Sequence, residues 1–129
     1  MKNLKAILCP IDFSTNSIEA LQYAVRLAKK MKVRIAILHV NDELSVTEIQ
    51  ERFDTLALKY LQSDGIDYEF AIGRGEEKDE ILRFNKIFKA NLVVMGQKGS
   101  NAKFQNHTGS TTEYLVNSGK VAVLSIPEI

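Results

Sequence analysis

The sequence predicts an α/β domain, a single open sheet of five mostly parallel strands with helices on both faces. Two observations carry this reading. Short apolar runs alternate with segments of helical period from one end of the chain to the other, giving five strands and four helices. The first, second and fourth runs are almost continuously apolar, as strands covered on both faces are. The length of 129 residues matches one domain, with no internal repeat, low-complexity tract or linker.

The first strand runs from Leu4 to Cys9 and stops at Pro10. Phe13-Ser14-Thr15-Asn16-Ser17 offers several helix caps, and Asn16 with Glu19 has capping-box spacing. Leu21, Ala24, Val25, Ala28 and Met31 then recur on one helical face. A second strand covers Val33 to Val40. Ser45 and Glu48 form another capping box, before Ile49, Phe53, Leu56, Ala57 and Tyr60, and Asp64-Gly65 ends that helix. Ile66, Tyr68, Phe70 and Ile72 alternate with Asp67, Glu69 and Ala71, the pattern of a strand wet on one side and hence at an edge. Glu76 to Phe88 is a third helix and Asn91 to Met95 a fourth strand. After a long polar stretch, Thr111 to Ser118 is a short helix stopped by Gly119. Val121 to Ile126 is a last apolar strand, expected at the opposite edge. An uncovered apolar edge invites aggregation, so a second copy of the chain is expected to bury it by antiparallel pairing across a two-fold axis.

Composition narrows the function classes. Apolar residues make up 45% and charged ones 26%, an ordinary globular balance. Seventeen basic against sixteen acidic residues leave a net charge of +1, without the basic stripe that nucleic-acid binding needs. The densest basic group, Lys29, Lys30 and Lys32, falls at a helix end and complements the helix dipole. A lone cysteine, Cys9, excludes an internal disulfide and fits a cytoplasmic setting. The apolar run before Cys9 is too short for a signal core, and no run is long enough to span a membrane.

The informative stretch is Gly96-Gln97-Lys98-Gly99, nine residues, then Gly109-Ser110. It begins where the fourth strand ends and finishes where the last helix starts. Glycines there let main-chain N–H groups approach phosphate oxygens without a Cβ in the way. The helix start adds unpaired N–H groups and a favourable dipole. Ser110, Thr111 and Thr112 supply hydroxyl donors, and Lys98 and Lys103 supply positive charge. Three glycines alone would equally fit a flexible connection.

The spacing Gly-x2-Gly-x9-Gly-Ser resembles the ATP-binding signature of the universal stress protein family. Ile7-Leu8-Cys9-Pro10-Ile11-Asp12-Phe13-Ser14 looks like that family's opening motif, and Leu38-His39-Val40 is similar to the end of its second strand. The resemblance covers residues 4 to 127. It implies strand order 3-2-1-4-5, with a ligand crevice at the carboxyl ends of the first and fourth strands. It further implies binding of ATP or another adenine nucleotide, with Mg2+ as an optional companion. Pro10, Ile11 and Asp12 would flank the nucleoside, Asp12 accepting from ribose hydroxyls. Main-chain groups at Val40 would meet the adenine, beside Met95. Gly96, Lys98, Gly99, Gly109, Ser110 and Thr111 would hold the phosphates. One departure stands out: Asn106-His107-Thr108 replace the apolar residues that usually precede the last glycine.

Other candidates have plainer explanations. His39 has no partner at metal-ligand spacing and reads as structural. His107 in the polar stretch could approach a phosphate, although exposure explains it equally well. Cys9 reads as a small core residue, and Tyr23, Phe53, Phe84 and Phe88 as packing residues. No hydrolytic triad and no GxxxxGK[ST] motif occurs, and no general base is in evidence, so an enzyme is not expected, or a weak ATPase at most. A receiver domain would need an acidic residue ending the third strand, where Ile72-Gly73 stands. Three functions therefore compete: a dimeric nucleotide-binding stress-response or signalling module, a nucleotide-independent dimeric interaction protein of the same fold, and an enzyme that borrows a partner's residues.

Overall fold

The computed structural model describes residues 5–40, 43–62, 65–97 and 110–128. Its elements in order are β1 (Ala6–Pro10), α1 (Thr15–Met31), β2 (Arg34–Val40), α2 (Val46–Leu56), β3 (Tyr68–Gly73), α3 (Glu77–Ile87), β4 (Leu92–Gly96), α4 (Ser110–Ser118) and β5 (Val123–Ile126). Helix α2 continues into a π-helical turn, Ala57–Leu61, which the apolar spacing did not foretell. The sheet runs β3-β2-β1-β4-β5 with every neighbouring pair parallel. Both edges are thus the expected ones. No helix among the described residues is long and apolar enough to cross a membrane.

Local chemistry accounts for the helix ends. Helix α1 starts two residues earlier than the Asn16–Glu19 spacing suggested. Ser14 is the N-cap, its hydroxyl accepting from the Ser17 N–H, and Asn16 lies buried inside the first turn. The helix stops at Lys32, whose N–H still donates to the Ala28 carbonyl and whose left-handed backbone (φ 58°) turns the Val33 N–H onto that same carbonyl at 3.0 Å. Lys29 and Lys30 occupy its last turn, where the dipole favours cations. The Ser45–Glu48 capping box forms as expected, with both reciprocal hydrogen bonds present. Gly65 takes a left-handed turn (φ 67°) beyond the π-helical segment; Asp64 lies outside the described residues.

The sheet divides two cores. On one face Ile7, Cys9, Ile35, Ile37, Leu92 and Val94 pack against Leu21, Ala24 and Val25 of α1 and Ile49, Phe53 and Leu56 of α2. On the other, Ala6, Leu8, Ala36, Leu38, Val93 and Met95 meet Ile81 of α3 and Leu115 of α4. Each Leu or Ile so buried contributes roughly 1.5–3 kcal/mol. The alternation of β3 now has its cause. Tyr68, Phe70 and Ile72 join the first core, Phe70 stacking on Phe53 at 4.2 Å, while Glu69 turns outward to the exposed side. All four residues of β5 are only half-buried.

Candidate functional site

Parallel strands place all carboxyl ends at one edge of the sheet, and the chain direction reverses its layering between β1 and β4. The recorded pairing of those strands is Ile7 with Leu92 and Leu8 with Val93, short of either carboxyl end. Pro10, the last residue of β1, has no N–H to extend that ladder. This is the topological switch point of an open α/β sheet.

The turn from β1 into α1 is tightly held. One Asp12 carboxylate oxygen accepts from the Ser14 N–H at 3.0 Å, and the Asp12 N–H donates to the Ser17 hydroxyl at 3.3 Å. Asp12 is half-buried, and an ionised carboxylate offers about four lone-pair sites. Ile11 beside it is buried, its N–H donating to the Leu38 carbonyl at 2.8 Å. The Ile11 carbonyl in turn meets Nδ1 of buried His39 at 2.9 Å. A carbonyl only accepts, so Nδ1 carries the proton. His39 is thus a structural side chain that fixes the turn to the end of β2.

Between Asp12 and Ser14, Phe13 sits at φ 64°. A bulky residue rarely adopts that region, at a cost of about 1–2 kcal/mol. Its ring lies 4.6 Å from the His39 ring, and the Arg52 guanidinium stands over it at 5.2 Å. Aromatic and cation–π contacts together with the Asp12–Ser14 hydrogen bond hold the strained backbone in place.

Val40 closes β2 and pairs with Gly73 at the end of β3. Beyond Gly73, the β3–α3 turn is closed by Glu80, which sequence reasoning did not single out. Its carboxylate accepts from Arg83 at 2.7 and 3.3 Å and from the main-chain N–H groups of Arg74 and Gly75. The Arg83 hydrogen bond foremost, helped by the guanidinium charge and the two main-chain donors, holds the Glu80 carboxyl below its usual range. A Cβ on Gly75 would stand 2.9 Å from a Glu80 oxygen, which explains a small residue there. The visible signal was Gly-x-Gly followed by a Glu-x-x-Arg pair.

Across the switch point, Met95 is buried and Gly96 half-buried at the end of β4. A Cβ on Gly96 would lie 2.6 Å from Oδ1 of Asn16, so Gly96 has a packing reason to be glycine besides any ligand. Thr112, expected to present its hydroxyl to a ligand, instead turns inward. It is 3% exposed and donates to the Gly96 carbonyl at 3.2 Å. Thr111 is half-buried in the first turn of α4, and Ser110 is that helix's first residue. Lys98, Gly99, Lys103, His107 and Gly109 lie outside the described residues.

The structure therefore brings Pro10, Ile11, Asp12, Val40, Met95, Gly96 and Thr111 to the carboxyl edge of adjoining strands and the helix that follows. Cys9 is wholly buried, and burial pushes its thiol far above the usual range. Among the described residues no three His, Cys, Asp or Glu side chains gather to hold a metal. At the β1 end of this edge Asp12 supplies a carboxylate, a ligand type that Mg2+ takes alongside phosphates and water.

Two hollows open at the opposite, amino end of the sheet. One of about 270 Å³ is lined by Arg34, Tyr68, Glu69 and Phe88, and one of about 460 Å³ by Lys29, Lys32, Arg34 and Asp67. Arg34 is already engaged there, by the Phe88 carbonyl and by Glu69 at 3.6 Å. The second hollow also gathers Lys5, Lys29 and Lys32, cations that complement the negative end of the α1 dipole.

Comparison with known proteins agrees with this architecture. The chain is 28% identical to the universal stress protein YxiE of Bacillus subtilis, an alignment covering 93% of this chain and 97% of that one. A universal stress protein solved in complex with cAMP superposes with a TM-score of 0.76 at 19% identity, over 96% of this chain and 97% of the other. The universal stress protein of Archaeoglobus fulgidus in complex with dAMP gives 0.67 at 21% identity, over 98% and 99%. At such identities the two structures speak to the fold. The family model described as the universal stress protein family matches residues 3–127, and the chain belongs to that family.

Proposed function

We propose that this protein binds ATP or another adenine nucleotide at the carboxyl edge of β1, β2 and β4 and acts as a stress-response or signalling module. The observation that carries the reading is the meeting of the Asp12 turn, Val40, Gly96 and the first turn of α4 at the switch point. Asp12 would accept from the ribose, main chain at Val40 would meet the adenine beside Ile11 and Met95, and the start of α4 at Ser110 and Thr111 would face the phosphates. Lys98, Gly99 and Gly109 would complete that phosphate end, with Mg2+ where the nucleotide carries it. The two solved neighbours named with cAMP and dAMP hold adenine nucleotides and support the same ligand class here. The sequence offers no evident general base to activate water against a γ-phosphate, so hydrolysis is expected to be slow at most.

Isothermal titration with ATP, ADP and AMP tests this. Saturable binding is expected, and no heat at millimolar nucleotide overturns it. A second reading, a dimeric interaction protein without nucleotide, draws on the Asn16 contact, because that contact alone accounts for glycine at 96. A thermal shift with ATP separates the two. In either case pairing of two copies through β5, in a cytoplasmic setting, is proposed.

A further inference from the structure

We propose that Asn16 and Thr112 are positioning residues for the phosphate end of the site: they lock one peptide unit, Gly96–Gln97, although neither touches ligand. This rests on the nucleotide reading above.

Both side chains are 3% exposed, and a buried polar group is costly unless its hydrogen bonds are made. Neither spends its bonds simply on ending its own helix. Asn16 Nδ2 donates to the Ile126 carbonyl at 3.1 Å, a residue 110 positions away. That same carbonyl accepts the Gln97 N–H at 2.8 Å, and its two lone pairs serve both donors. Thr112 Oγ1 donates to the Gly96 carbonyl at 3.2 Å. The Gly96 C=O and the Gln97 N–H belong to one planar peptide unit. It is therefore held from opposite sides, by α4 through its oxygen and by β5 through its hydrogen. Asn16 braces it twice, by gripping Ile126 and by filling with Oδ1 the space that a Cβ on Gly96 would take.

The location gives the lock its meaning. This peptide is where the chain leaves β4, and Thr112 lies in the first turn of α4, whose N–H groups the phosphate reading uses. One hydrogen bond thus sets the distance between the strand end and the helix start. The Gln97 N–H is already committed to Ile126, so it is a brace and not a phosphate donor. Loosening the lock should harm recognition of phosphates and leave the nucleoside end, built on Asp12 and Val40, unaffected.

The test is titration of ATP and of adenosine into wild type, Thr112→Val, Thr112→Ser and Asn16→Ala, with folding checked by thermal melting. Valine keeps the shape of threonine and removes the hydroxyl; serine keeps the hydroxyl. Thr112→Val and Asn16→Ala should bind ATP roughly tenfold more weakly, the scale of one lost hydrogen bond, with adenosine binding unchanged. Thr112→Ser should bind ATP as wild type does. Equal loss of ATP and adenosine affinity in folded variants, or no loss of either, overturns the positioning role. If wild type binds neither ligand, the nucleotide reading itself falls and this inference with it.

Discussion

Asn16 in the first turn of α1 and Gly96 at the end of β4 touch so closely that no side chain fits between them. A Cβ at residue 96 would stand 2.6 Å from Asn16 Oδ1 and 3.2 Å from the Asn16 main-chain oxygen. The second atom is backbone and cannot swing aside. Gly96→Ala must therefore push α1 away from β4, a strain of about 1–3 kcal/mol. Urea unfolding should show a lower midpoint with an unchanged slope. A midpoint equal to wild type would mean that the contact is not as close as described.

Glu80 makes stability depend on pH. Its folded carboxyl lies below the ordinary value because Arg83 and two main-chain N–H groups favour the charged form. The stabilisation it gives is therefore full above the unfolded pKa of about 4.3 and is lost as pH falls through the lower folded value. Glu80→Gln removes that component. Urea midpoints measured between about pH 6 and pH 3 should fall more steeply for wild type than for the variant. Parallel curves would contradict the closed β3–α3 turn.

Much of this fold was legible because burial on both faces leaves a simple trace. The apolar runs ending at Cys9, Val40 and Met95 are the three inner strands, and the alternation through Tyr68, Phe70 and Ile72 marked an edge. Asp12, Val40 and Gly96 were likewise legible, as motif residues at strand ends. The polar side chains that matter inside were not. Asn16 read as a cap and Thr112 as a ligand donor, since nothing local announces that their partners are Ile126 and Gly96. Phe13 gave no hint of its left-handed backbone, which the Asp12–Ser14 hydrogen bond and the His39 ring sustain. Glu80 was passed over because its partners include main-chain donors, which carry no letter in a sequence.

Among the described residues strand β5 pairs with β4 alone, and its four residues stay half-buried. An apolar edge of this kind is covered in a stable soluble protein. Sedimentation at micromolar concentration should give a dimer, and Val123→Asp should shift it toward monomer. A wild-type monomer would contradict pairing through this edge.

Cys9 offers a check on the central strand. It is fully buried and its thiol is pushed far up by that burial, so little thiolate exists at neutral pH. A thiol-specific dye should label it only at the rate of unfolding, and promptly in denaturant. Rapid native labelling would place it at a surface instead.

The most direct measurement is an amide chemical-shift map recorded while ATP is added to the isotope-labelled protein. Shifts are expected at Ile11, Asp12, Val40, Gly96 and Thr111, with Arg34 and Asp67 at the amino end of the sheet unmoved. Shifts confined to that amino end, or none at millimolar ATP, would contradict a nucleotide site at the carboxyl edge.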